Sequence, residues 1–117
     1  MELSAEEVES YINNALRTVV QLPFFINNEY AADKISDIIS DISKLIGDNE
    51  IEVIVSSPQA LFHTRIETGK HSKARACAVA IERLHHDIMP YTTVIISVPK
   101  QAAENLKEIS RKHGFLI

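Results

Sequence analysis

The amino-acid sequence predicts a single α/β (or α+β) domain: a small mixed or parallel sheet of three to four strands, layered under about four helices. Three observations lead there. The chain has 117 residues, of which 45% are hydrophobic and 24% charged, which suits one globular domain (residues 1–117) of the usual ~100–150 residues with its own core. Apolar residues recur at helical spacing up to Ile46, and Ile- and Val-rich runs take over beyond Gly47. From Leu61 onward, strand-like and helix-like stretches alternate, an order that implies parallel pairing through right-handed crossovers. The full order reads α-α-β-β-α-β-α, closed by a short strand.

Each element has a local reason. Ser4-Ala5-Glu6-Glu7 is a capping box, and Val8, Ile12, Ala15, Leu16, Val19 and Val20 follow at helical spacing. The expected first helix covers about 5–21 and stops before Pro23. Phe24-Phe25-Ile26 reads as an apolar elbow plugging the core between two helices. Asn27 or Asn28 caps a second helix, whose stripe is Ala31, Ile35, Ile38, Ile39, Ile42, Leu45 and Ile46 and whose stop is Gly47.

The pattern then turns to β. Glu50–Val55 is one strand, ended by Ser56-Ser57-Pro58. Leu61–Thr68 alternates, with Phe62, Thr64 and Ile66 on one face and His63, Arg65 and Glu67 on the other. Thr68-Gly69-Lys70 turns into a third helix, about 72–88, with Ala74, Cys77, Ala78, Ile81, Leu84 and Ile88 inward. Met89-Pro90 ends it, and Tyr91–Val98 is a near-continuous apolar strand of the kind buried on both faces. Pro99 opens a last helix, about 99–113, that points Ala103, Leu106 and Ile109 inward and ends at Gly114. Phe115-Leu116-Ile117 closes the chain as a short strand or plug.

Composition narrows the function. The single cysteine, Cys77, excludes an intramolecular disulfide and points to a reducing compartment. No apolar stretch approaches the ~20 residues of a membrane span, and the acidic start is unlike a signal peptide; a cytoplasmic protein is expected. Residues 1–60 carry 11 acidic and 3 basic side chains, whereas residues 61–117 carry 5 and 9 together with all five histidines. Such asymmetry suits an anionic partner for the second half, or packing of the halves against each other or a second subunit. Histidine protonation near neutral pH would modulate that basic half.

The segment from Arg65 to Arg75 concentrates these cations where a strand turns into a helix. Helix N-termini bind anions through unpaired N–H groups and the helix dipole. Arg65, Lys70, His71, Ser72, Lys73 and Arg75 are therefore the candidate ligand residues, for phosphate or a nucleic-acid backbone. Gly69-Lys70 lacks the earlier glycine of a P-loop, so nucleotide hydrolysis is not expected. Overall acidity, the absence of tryptophan and the lack of an aromatic between Arg65 and Arg75 speak against base stacking.

Other groupings are weaker. Glu82 shares a helix face with His85 or His86, but one such pair does not make a metal centre. Cys77 sits on an apolar helix side and reads as a core residue. Asp33, Asp37 and Asp41 form a row too spread out for a hard cation, though it could meet the basic segment of a second subunit. No cofactor is implied.

The order strand, strand, helix, strand, helix over about 50–117 resembles that of restriction-endonuclease-like nucleases. Such enzymes hold a divalent metal with an acid and a Glu-x-Lys on neighbouring strands, which would put Glu52 and Glu67 in those roles. Here Lys70 comes one residue late, the motif is not met, and element order alone assigns no family. The sequence thus favours a non-catalytic, anion-binding module. The alternatives are a metal-dependent nuclease or phosphoryl hydrolase using Glu52 and Glu67, and a structural homodimer or other homo-oligomer without a ligand.

Overall fold

The protein is described by a computed structural model, which covers Ser4 and residues 18–26, 29–57, 62–67, 69–83 and 92–115. In chain order the elements are β1 (Val19–Phe25), α1 (Glu29–Ile46), β2 (Glu52–Ser57), β3 (Phe62–Arg65), α2 (Lys73–Glu82), β4 (Thr93–Pro99) and α3 (Ala103–Lys112). Short 3-10 turns, Asp48–Glu50 and Lys100–Ala102, lead into β2 and α3.

The strands form one four-stranded sheet in the order β1-β4-β2-β3, and every neighbouring pair is antiparallel. This corrects the expected parallel or mixed sheet. The strand-helix-strand logic holds for direction alone: β3 and β4 both oppose β2, so they run parallel to each other. β2 lies between them, however, and β4 likewise separates β1 from β2. Two split βαβ units therefore interleave, and all hydrogen-bonded neighbours become antiparallel.

The first expected helix is also corrected where it is described. Residues 19–21 belong to β1 rather than to the end of a helix; residues 5–17 of that reading lie outside the described residues. The apolar elbow is the end of the same strand. Phe24 and Ile26 are buried on the helix side while Phe25 is 68% exposed on the other, an alternation that only a strand produces. Lys100 N–H bonds the Thr18 carbonyl at one end and Ile26 N–H bonds Thr92 at the other. Even-numbered residues therefore bond β4, and Pro23 turns its nitrogen to the open edge, where no donor is missed.

The core lies on one face of the sheet. Phe24, Val53, Val55, Val94, Ile96 and Val98 pack against Ile35, Ile38, Ile39 and Ile42 of α1, Cys77 of α2 and Leu106 of α3. The isoleucine stripe of α1 is as expected, except that Leu45 is 59% exposed. Gly47, with φ at 90°, ends α1 in the left-handed conformation that favours glycine. Three helices are seen among the described residues, against about four expected. α2 is described to Glu82, and the expected continuation to residue 88 lies outside the described residues. Of the closing stretch expected as a short strand or plug, Phe115 lies outside any strand and packs on the core, its ring meeting Phe24 edge-to-face at 5.3 Å. Leu116 and Ile117 lie outside the described residues. No described helix is long and apolar enough to cross a membrane.

Candidate functional site

The basic segment 65–75 is divided by its own fold. Ser72 is the N-cap of α2, and its hydroxyl accepts the Arg75 N–H at 3.3 Å, the usual stabilisation of a first helical turn. The Lys73 N–H donates to the Asp48 carboxylate at 3.2 and 3.3 Å, and Asp48 also accepts from the Ser43 hydroxyl at 2.9 Å. The positive end of α2 thus already faces an anion, one supplied by the turn after α1. Lys73 itself is turned inward: it is only 8% exposed, and its ammonium donates to the Ile51 carbonyl. Such a lysine acts as a clasp between α2 and the start of β2.

What remains of the predicted set gathers in a cleft of about 440 Å³ between α1 and the 69–72 turn. Lys70, His71 and Ser72 line one wall; Ser40, Ser43 and Lys44 of α1 line the other, with Asp48 at the helix end. Ala74 also lines it, and among the described residues no acceptor is found for the Ala74 N–H. Lys44 and Lys70 line the cleft with His71 and Asp48. The Lys44 ammonium also stands 4.0 Å from Asp41, an exposed pair that water largely screens and that yields readily to a closer anion. The Ser40 and Ser72 hydroxyls add neutral donors suited to phosphate oxygens, while the Ser43 proton goes to Asp48.

Arg65 and Arg75 do not join this cleft. Arg75 is exposed on α2. Arg65 stands on β3 with its guanidinium 4.0 Å from Glu52, both side chains more than half exposed, a pair that water largely screens. Arg65 instead borders a second groove, about 340 Å³, between β3 and α2; His71 borders both.

Sequence reasoning missed Lys44 and Asp48. An acid directly after the helix-stopping glycine was a visible signal of a capping role, but nothing in the sequence ties Asp48 to a residue 25 positions later.

The remaining groupings find structural roles or none. Among the described residues, no three His, Cys, Asp or Glu side chains are arranged to hold a metal. Glu52 and Glu67 are both exposed, and Glu52 has Arg65 beside it. Glu82 is exposed, while His85 and His86 lie outside the described residues. Cys77 is fully buried, and burial pushes its thiol up to about 12, so it stays protonated near neutral pH. In the aspartate row, Asp33 and Asp37 are exposed, but Asp41 meets His113 Nε2 at 3.0 Å and joins α1 to the end of α3. No known protein family matches the chain, and neither a curated protein nor a solved structure matches it.

Proposed function

We propose that the protein is a non-catalytic binding module for a small anionic group, a phosphate or a phosphate of a nucleic-acid backbone, held in the cleft between α1 and the 69–72 turn. The observation that carries this reading is the lining of one cleft by Lys44, Lys70, His71 and Ser72 together. Asp48 shapes the selectivity. It occupies the Lys73 N–H, so the ligand meets the lysines and hydroxyls from the open side instead of sitting on the helix axis. A carboxylate in the wall also disfavours a ligand bearing dense charge, which would be repelled at close range.

The set is narrower than the segment that suggested it. Lys70, His71 and Ser72 remain ligand residues, Lys44 joins them, Lys73 becomes structural, and Arg65 and Arg75 stand elsewhere. The test is an anisotropy titration of labelled single- and double-stranded oligonucleotides, with inorganic phosphate as competitor, at low and high salt. Binding that phosphate displaces, that salt weakens and that Lys70→Glu reduces about tenfold supports the reading. Equal binding by Lys70→Glu protein, or no binding of any of these anions at low salt, removes it.

A further inference from the structure

We propose that the open edge of β3 is a docking site for an extended, acidic segment of a partner protein, which joins the sheet as a fifth strand beside α2. The backbone makes the first argument. Ile66 N–H bonds the Val53 carbonyl, so the even-numbered residues of β3 bond β2. His63 and Arg65 consequently direct their N–H and C=O groups to the open edge, and both residues are exposed. Among the described residues nothing pairs with these groups. An edge of this kind is a template for a further strand.

The groove beside it supplies the second argument. Ile66, Ala76, Val79 and Ala80 line about 340 Å³ between β3 and α2, and Val79 is 38% exposed despite being apolar. Side chains of an added strand alternate. One set would lie over Val79 and its neighbours, and the other would stand in the row of His63 and Arg65.

Charge selects the occupant. Arg65, Arg83 and His71 border the groove, with Glu67 as its acid. The contact of Arg65 with Glu52 is long and solvent-exposed, so it exchanges readily for a closer carboxylate. A strand alternating small apolar residues with acids satisfies both rows. This site is separate from the anion cleft, although His71 borders both, and it stands whether or not that cleft binds phosphate.

The test uses the full chain and a labelled heptapeptide of alternating glutamate and valine, followed by anisotropy and by amide hydrogen exchange. The expected result is binding at low salt, with exchange protection gained at the His63 and Arg65 amides. A lysine-valine peptide should not bind. An acidic peptide N-methylated on its pairing edge should bind at least about tenfold more weakly, as should Val79→Glu and Arg65→Glu proteins that keep the native melting temperature. Four results each overturn the proposal: no binding of the acidic peptide at millimolar concentration, equal binding of the lysine or N-methylated peptide, protection appearing along residues 19–25 instead, or His63 and Arg65 amides already protected by a second copy in the free protein.

Discussion

The two edges of the sheet differ in chemistry and are treated in opposite ways: β1 is uncharged and mostly apolar, whereas His63 and Arg65 make up half of β3. β1 ends the sheet with Pro23 facing its nitrogen outward, and the residues on the face away from the core, Val19, Gln21, Pro23 and Phe25, are exposed. β3 ends it with no proline within its four residues, with an apolar groove along α2 beside it, and with two arginines and a histidine around that groove. A proline on an edge blunts further pairing at little cost, because the missing donor would have faced solvent. The lesson is that this fold blunts one edge with a proline and leaves the other without one, beside a groove; the proposed strand addition rests on that difference. The cleft proposed to hold an anion is at the N-terminus of α2, and His71 borders both it and the β3 groove.

The largest expected effect tests the register of β1. Phe24→Ala should cost about 3–5 kcal/mol in urea unfolding, because Phe24 is buried against Phe115. Phe25→Ala, one residue on, should stay within about 0.5 kcal/mol. Equal losses at the two positions would break the strand assignment. The same parity argument applies to β3 with a smaller effect. Thr64→Pro removes a donor to β2 and should cost about 2–3 kcal/mol, whereas Arg65→Pro should cost about 1 kcal/mol or less and abolish strand addition. A larger loss at Arg65 in the unfolding midpoint would mean that this edge is not open.

The wall of the β3 groove can be probed through Cys77, on the buried side of α2. Burial pushes its thiol up from the ordinary 9.0 to about 12. The stabilisation of the neutral form is therefore complete below pH 9 and is lost between pH 9 and about 12. Above pH 9, the folding equilibrium should weaken by about tenfold per pH unit from this group. Cys77→Ala should flatten that limb, and a limb unchanged by the substitution would assign it to other groups. The smallest effect is expected at Pro23. Pro23→Ala should change stability by about 1 kcal/mol or less, yet it restores a donor to the blunted edge and should raise self-association in sedimentation. A sedimentation profile unchanged by the substitution would show that Pro23 is not what protects β1.

Much of this was legible in the residues. The isoleucine stripe of α1, its glycine stop, the alternation of β3 and the capping serine of α2 all follow from periodicity and turn chemistry. β1 was not, because Val19 and Val20 also continue the helical spacing of Val8, Ile12 and Leu16, and Pro23 suits a helix end as well as a sheet edge. Strand order was hidden for a different reason: direction follows from a crossover, but adjacency depends on which strand slips between, as β2 does between β3 and β4. The candidate site was half legible. Lys70, His71 and Ser72 share one turn and could be grouped by sequence, whereas the contribution of Lys44 and the pairing of Asp48 with Lys73 arise only when α1 packs against α2. Burial of Lys73 is likewise a tertiary fact, since its neighbours in sequence are all compatible with an exposed lysine.

The most direct test of recognition on the α2 side is an amide-resolved NMR titration of the protein with inorganic phosphate at low salt. The expected result is a set of shifts confined to Lys44, Lys70, His71, Ser72 and Ala74, reversed by added salt and absent from residues 19–25. An unchanged spectrum, or shifts that gather along β1 instead, would contradict it.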